Sequence, residues 1–193
     1  MRQAVVFDAM NEQAWYGLGR CYYSQSEFKE AQEAFEKALA LDPGDVKAEE
    51  NLGLAYEMGN RPQEAERAYK AAVAMADGAK TNSGGGLDQW PYLDYGSFLL
   101  EHDRPEEAVP VLERAVKAAP QCAECHGKLG RALARAGKAN EGIEELQTAV
   151  RLAPKDPRLH YDLGRAYREA GKMEEARAEL AVSAKLYGAK GRE

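Results

Sequence analysis

The stretch from residue 12 to residue 45, EQAWYGLGRCYYSQSEFKEAQEAFEKALALDPGD, decides the fold of this chain. Apolar residues recur in it at three- and four-residue spacing, first through Ala14, Trp15 and Leu18 and then around Phe35. This spacing is typical of an amphipathic helix, and a polar turn separates the two apolar stretches. The stretch therefore predicts two helices that pack against each other through a short link.

The same pattern occurs five times along the 193 residues. Each occurrence has a glycine that follows a large residue, then a small residue, and then a second large residue. The glycines are Gly19, Gly53, Gly96, Gly130 and Gly164, which lie 34, 43, 34 and 34 residues apart. The small residues are Ala31, Ala65, Ala108, Gly142 and Ala176, and the large residues are Phe35, Tyr69, Leu112, Leu146 and Leu180. A period of this length is typical of stacked structural repeats, in which small residues let two helices approach closely.

These positions resemble the tetratricopeptide repeat, whose signature runs Trp, Leu-Gly, Tyr, Ala, Phe, Ala and Pro. The first block matches the signature at Trp15, Leu18, Gly19, Tyr22, Ala31, Phe35, Ala38 and Pro43. The resemblance extends over roughly residues 12–190 and implies an all-α, right-handed superhelical solenoid of about five helix-turn-helix repeats. It also implies a concave groove built mainly from the first helix of each repeat.

The repeat spacing predicts the organisation of the whole chain. The predicted segments are the tail of a preceding repeat at 1–11, repeats at 12–45, 46–79, 89–122, 123–156 and 157–190, and a glycine-rich insert at 80–88. Nothing after residue 190 could act as a polar capping helix. We therefore expect a piece of a longer array or multidomain protein, or an end that another subunit covers. Self-association through the uncapped ends is a further alternative.

Composition restricts the class of partner. The chain has 26 Lys and Arg against 32 Asp and Glu, a net charge of −6, which argues against binding to nucleic acid. No apolar run reaches the length of a membrane-spanning helix, and the first residues lack the features of a signal peptide. These features predict a chain with no membrane segment and favour the cytoplasm.

Three residues form a motif that could carry chemistry, Cys122, Cys125 and His126. A Cys-x-x-Cys-His string attaches c-type haem in other proteins, and a cysteine pair can also bind a metal or undergo redox reactions. His160 occupies the same repeat position as His126 without cysteines nearby, which indicates a packing role for both histidines. We therefore predict structural cysteines and no cofactor, with haem, metal or redox chemistry as alternatives.

No motif places a nucleophile beside a base, and His102, His126 and His160 are scattered along the chain. The sequence therefore predicts a non-catalytic scaffold that binds a protein or an extended peptide in its groove. A regulatory or targeting segment of a larger enzyme is the alternative. The resemblance implies these partner-binding candidates: Tyr16, Arg20, Asn51, Trp90, Lys128, Arg131, Arg135, Arg158, Tyr161, Arg165 and Arg168.

Six of these candidates are cations of repeats four and five that recur at three- and four-residue spacing on one predicted helix face. They are Lys128, Arg131, Arg135, Arg158, Arg165 and Arg168. Arginine side chains bind carboxylates through two parallel hydrogen bonds, so this face predicts a site for an acidic segment. The alternative is a solvated face whose cations pair with Glu124, Asp162 and Glu169.

Overall fold

The computed structural model describes residues 11–79 and 88–190, which form ten α-helices and no strand. The helices are α1 Glu12–Ser24, α2 Phe28–Leu41, α3 Val46–Met58, α4 Pro62–Ala79, α5 Trp90–Glu101, α6 Pro105–Ala118, α7 Ala123–Arg135, α8 Ala139–Leu152, α9 Pro157–Glu169 and α10 Met173–Lys190. The predicted all-α fold class is confirmed. Apart from Asn11 and Asp88, the predicted tail at 1–11 and the insert at 80–88 lie outside the described residues.

The chain divides into two compact units, one with α1 to α4 and one with α5 to α10. Each predicted block contains one pair of helices joined by a short turn, although the residue bounds of the five blocks stay a prediction. In the second unit, α6 packs on α7 and α8 packs on α9, so neighbouring pairs stack on one another. Stability in such a stack is a sum of interfaces between neighbours.

Four first helices begin with a side chain that caps the helix. Asn11, Asp45, Cys122 and Asp156 each accept a hydrogen bond from a backbone N–H of the first turn, at 2.9 to 3.0 Å. These bonds satisfy N–H groups that have no partner within the helix. Cysteine is an unusual residue at this position, which holds Asn or Asp in the other three helices that a side chain caps.

The turn inside each helix pair has the same backbone geometry in all five cases. One residue of each turn has a positive φ, between 56° and 82°: Ser26, Asn60, Asp103, Gly137 and Gly171. The N–H of the following residue donates a 2.9 Å hydrogen bond to a carbonyl in the last turn of the preceding helix, as from Glu27 to Tyr22. This is the Schellman arrangement that ends helices.

Ser26→Gly is expected to raise the free energy of unfolding by about 1 kcal/mol, because an L-residue in the left-handed region is strained by about 1–2 kcal/mol. Gly137→Ala should lower it by a similar amount, although its Cβ would enter open space. Urea unfolding followed by circular dichroism measures both changes. Equal stability of the two variants and the wild type would contradict the role assigned to the turn geometry.

The five repeated glycines, one in the first helix of each pair, lie where the two helices of that pair approach closely. A Cβ built on any of the five would lie only 2.5 to 2.8 Å from a large side chain of the second helix. That side chain is Phe35 for Gly19 and Leu112 for Gly96. Real Cβ atoms essentially never come so near. The predicted close-packing role of these glycines therefore holds.

Candidate functional site

Three predicted residues of the first unit come together on α1 and α3. The Asn51 side-chain amide donates to the Tyr16 hydroxyl at 3.5 Å and to the Lys47 carbonyl at 2.8 Å. The Arg20 guanidinium lies 6.0 Å from the centre of the Tyr16 ring. Burial raises the pKa of the Tyr16 hydroxyl, and Arg20 opposes that rise. The three side chains form one polar surface.

The second unit has two adjoining clefts between α7 and α9. The first has a volume of about 290 Å³ and is lined by Arg131, Ala134, Arg135, Leu146, Asp162, Arg165, Ala166 and Glu169. The second has a volume of about 280 Å³ and is lined by Ala123, Glu124, Gly127, Lys128, Arg131, Asp156, Arg158, Leu159 and Asp162. Arg131 and Asp162 line both clefts. We refer to the two clefts together as the α7–α9 groove.

Asp162 lies among the cations of this groove. Its carboxylate is 3.8 Å from the Nε of Arg131, and its side chain is only 18% exposed. Burial raises the pKa of Asp162, whereas Arg131, Arg165, Lys128 and Arg158 act in the opposite direction. The cost of burying the charge therefore exceeds the attraction of four cations. A partner that brings further carboxylates would find these cations only partly neutralised.

The remaining ion pairs of the groove lie near its surface. Arg165 contacts Glu169 at 3.3 Å within α9, and Arg158 contacts Asp156 at 3.0 Å at the start of the same helix. Exposed pairs of this kind contribute about 0–1 kcal/mol, so a ligand carboxylate can replace the protein carboxylate at little cost. Of the three acidic partners predicted by the alternative, Asp162 and Glu169 form ion pairs, with Arg131 and Arg165.

Arg135 differs from the other groove cations. Its guanidinium donates to the Leu100 carbonyl at 2.8 Å and to the Asp103 carboxylate at 2.7 Å. These bonds join the end of α7 to the last turn of α5 and to the turn between α5 and α6. Arg135 lines the first cleft, but its hydrogen-bonding groups serve the contact between two helix pairs.

Three predicted candidates of the second unit lie outside both clefts: Trp90, Tyr161 and Arg168. Trp90 is 46% exposed at the first position of α5, and Tyr161 is 48% exposed on α9. Arg168 is also exposed. Each is accessible to a partner, and the partner-binding role of each stays a prediction.

The cysteine motif lies at the start of α7. Cys122 and Cys125 form a disulfide bond, and Cys122 is the residue that caps the helix. Nδ1 of His126 lies 2.6 Å from the Glu145 carboxylate, and Nε2 lies 3.0 Å from the Pro120 carbonyl. Both ring nitrogens therefore have protein partners, and His126 could ligate haem iron only by losing one of them. Within residues 11–79 and 88–190, no group of three or more His, Cys, Asp or Glu residues could hold a metal ion.

His160 repeats the arrangement of His126 one repeat later. Its Nδ1 lies 2.6 Å from the Glu179 carboxylate, and its Nε2 lies 2.9 Å from the Pro154 carbonyl. Because a carbonyl can only accept, Nε2 carries a proton and donates it. Each buried imidazole thus joins both helices of its pair to the preceding turn, which supports the predicted packing role. The signal was present in the sequence, since each histidine has a glutamate 19 residues later.

His160→Phe is expected to lower the free energy of unfolding by about 1–2 kcal/mol, because the Pro154 carbonyl would lose its donor and the Glu179 carboxylate its partner. Tyr161→Phe on the adjacent exposed position is the matched control and should change stability by less than about 0.5 kcal/mol. Thermal unfolding of both variants measures the difference. Equal effects would show that the imidazole contacts contribute nothing.

The last helix exposes several large apolar side chains. On α10, Met173 is 52%, Val182 is 40% and Tyr187 is 53% exposed. Self-association through this helix stays a prediction, which sedimentation equilibrium would test. Among the described residues, no helix combines the length and apolar character needed to cross a membrane.

Family models of the tetratricopeptide repeat match residues 12–45, and residues 99–160 and 133–186, which together make up more than half of the chain. The chain therefore belongs to the tetratricopeptide repeat family. It is 28% identical over 139 residues to tetratricopeptide repeat protein 37 of Xenopus laevis. This match includes 70% of the chain but only 8% of the length of that relative.

Solved structures share the fold at lower sequence identity. MamA from Desulfovibrio magneticus RS-1 has a TM-score of 0.78 at 21% identity, with 92% of this chain and 96% of that chain covered. YrrB, described as a tetratricopeptide repeat protein with an unusual peptide-binding site, has a TM-score of 0.74 at 20% identity, with 96% and 91% covered. PilF of Pseudomonas aeruginosa has a TM-score of 0.76 at 22% identity, with 91% and 76% covered. At these identities the likeness establishes the fold alone.

Proposed function

We propose that this chain is a non-catalytic binding module that holds an extended acidic peptide segment in the α7–α9 groove. The observation that carries the proposal is the pair of adjoining clefts, which share Arg131 and are lined by further cations from both helices. The family fold supports protein–protein interaction in general. The acidic character of the partner rests on the groove residues of this chain.

The size of the clefts favours an extended peptide over a compact ligand. Each cleft is slightly smaller than the roughly 300–1,000 Å³ of typical small-molecule pockets, and the two lie side by side. An extended chain places alternate side chains about 6–7 Å apart along one face, so it can put one side chain into each cleft. Arg165 and Arg158 would then each meet a different carboxylate of the peptide.

Asp162 limits how tightly such a peptide can bind. Its carboxylate neutralises part of the cation cluster and repels a carboxylate that approaches Arg131. Removing this charge while keeping the shape of the side chain should therefore strengthen the binding of an acidic peptide. Loss of Arg131 and Arg165 should have the opposite effect.

The test measures binding of a fluorescent Glu- and Asp-rich peptide by anisotropy. Arg131→Glu with Arg165→Glu is expected to weaken binding by about a hundredfold, since two attractive contacts become repulsive. Arg177→Glu with Lys185→Glu on α10 is the control; it makes the same change in net charge at exposed residues that line neither cleft. Unaltered binding by the groove variant, or an equal loss in both variants, would contradict the proposal.

The pH dependence gives an independent prediction for the same site. Because burial raises the pKa of Asp162, this carboxyl takes up its proton at a higher pH than an ordinary aspartate. The groove becomes more positive as the pH falls, so the acidic peptide should bind more tightly until its own carboxylates are protonated. Asp162→Asn should bind several-fold more tightly at neutral pH and remove this dependence. If the affinity of Asp162→Asn for the peptide depended on pH in the same way as that of the wild type, Asp162 would not be the group responsible.

A further inference from the structure

Cys122 and Cys125 form a disulfide bond at the beginning of α7, a feature that the proposed peptide binding does not use. Cys122 is the N-cap of α7, and Cys125 lies in its first turn, so the disulfide spans the beginning of the helix. The N-terminus of a helix favours negative charge, because its first N–H groups point outward without helical partners. Cysteines at such positions are among those whose thiolate form is stabilised.

The two cysteines differ in their exposure to solvent. Cys125 is fully buried, whereas Cys122 is partly exposed. Ala123 and Glu124, which lie between the cysteines, line the second cleft of the α7–α9 groove. The cleft thus reaches the residues next to Cys122, which is the more exposed of the two cysteines, whereas Cys125 is shielded by protein.

A direct hydrogen bond also distinguishes Cys122. The backbone N–H of Cys125 donates to the Cys122 sulfur at 3.0 Å. Once the disulfide has opened, the same N–H can stabilise a thiolate on Cys122, which makes this sulfur the better attacking group and a good leaving group from a mixed disulfide. His126 is not placed to act as the base, since both of its nitrogens have other partners.

We propose that Cys122 and Cys125 form a thiol–disulfide exchange site whose substrate is a low-molecular-weight thiol such as glutathione. In the reductive direction, an external thiolate attacks the Cys122 sulfur and forms a mixed disulfide, while Cys125 leaves as a thiolate and takes a proton. A second external thiolate then attacks the sulfur of the first external thiol. An external disulfide forms, and Cys122 leaves as a thiolate. Two external thiols are oxidised, and one protein disulfide is reduced.

The first experiment compares single variants in a Cys21→Ser background, which removes the third cysteine. Reduced Cys125→Ser, which retains Cys122, is mixed with glutathione disulfide, and Cys122→Ser, which retains Cys125, is treated in parallel. Because thiol reactivity follows thiolate character and exposure, Cys122 should form the glutathione adduct at least about tenfold faster than Cys125. Intact-protein mass spectrometry measures the rates. Equal rates, or a faster Cys125, would overturn the proposal.

Folding of the variants is checked by circular dichroism before the rates are compared. Serine is a preferred N-cap residue, so Cys122→Ser should keep the cap of α7. The second experiment uses the intact chain: dithiothreitol should reduce the disulfide while the helical signal is retained, and glutathione disulfide should restore it. A disulfide that is reduced only after denaturant unfolds the protein would overturn the proposal and assign a purely structural bond.

Discussion

Phe35→Ala is expected to lower the free energy of unfolding by about 3–5 kcal/mol, the usual cost of removing a buried aromatic side chain. Phe35 is fully buried in a cluster with Ala31, Leu52 and Ala55. Its ring centre lies 5.9 Å from that of Tyr16, and the ring fills the space opposite Gly19. Truncation would leave a cavity that rigid helices on either side cannot close.

Urea unfolding followed by circular dichroism measures this loss. Met58→Ala, at a side chain that is 56% exposed, is the control and should change stability by less than about 0.5 kcal/mol. Phe35→Leu serves as a second variant if Phe35→Ala is largely unfolded, because the same repeat position holds Leu112, Leu146 and Leu180 elsewhere in the chain. We expect the leucine variant to retain most of the stability. A Phe35→Ala variant as stable as Met58→Ala would contradict the assigned core.

The roles of Phe35 and Gly19 could be predicted from sequence because the repeat supplies five examples of one contact. A large residue and a glycine recur at fixed spacing, and geometry then requires the two to face each other across a helix pair. The structure confirms this at all five glycines. Local periodicity was sufficient because each contact lies within about 20 residues of sequence.

The positive φ of Ser26 was not predicted, although it falls at the same repeat position as Gly137 and Gly171. Serine carries no signal for the left-handed region, so the turn geometry appears only when all five repeats are compared. The disulfide was also not predicted. The sequence predicted structural cysteines, with haem, metal or redox chemistry as alternatives, and nothing in the spacing of Cys122 and Cys125 showed that the two are bonded to each other.

The candidate groove was predicted in part. Periodicity placed six cations on one helix face, and the structure places Lys128, Arg131, Arg158 and Arg165 around the clefts. In the structure the Arg135 guanidinium donates a hydrogen bond to the Leu100 carbonyl. This contact joins two helix pairs, so the sequence of a single repeat does not reveal it. The raised pKa of Asp162 likewise depends on burial, which the spacing of residues does not report.

Gly142→Ala is expected to lower the free energy of unfolding by about 2–3 kcal/mol, the upper part of the usual range for overpacking. The fourth repeat has glycine at both facing positions, whereas the other four have alanine at the position of Gly142. A Cβ on Gly142 would lie 2.7 Å from the Gly130 carbonyl oxygen and 2.9 Å from the Ala134 nitrogen. Both neighbours are backbone atoms, so no side-chain rotation relieves the overlap and α7 must move away from α8.

Gly188→Ala on α10 is the matched control, because its Cβ would enter open space within a helix. This variant should be more stable than the wild type, by up to about 1 kcal/mol, since alanine has the higher helix propensity. The same chemical change is thus expected to have opposite signs at the two positions. Urea unfolding of the two variants measures both signs. Stabilisation by Gly142→Ala would mean that α7 and α8 do not pack through their backbones.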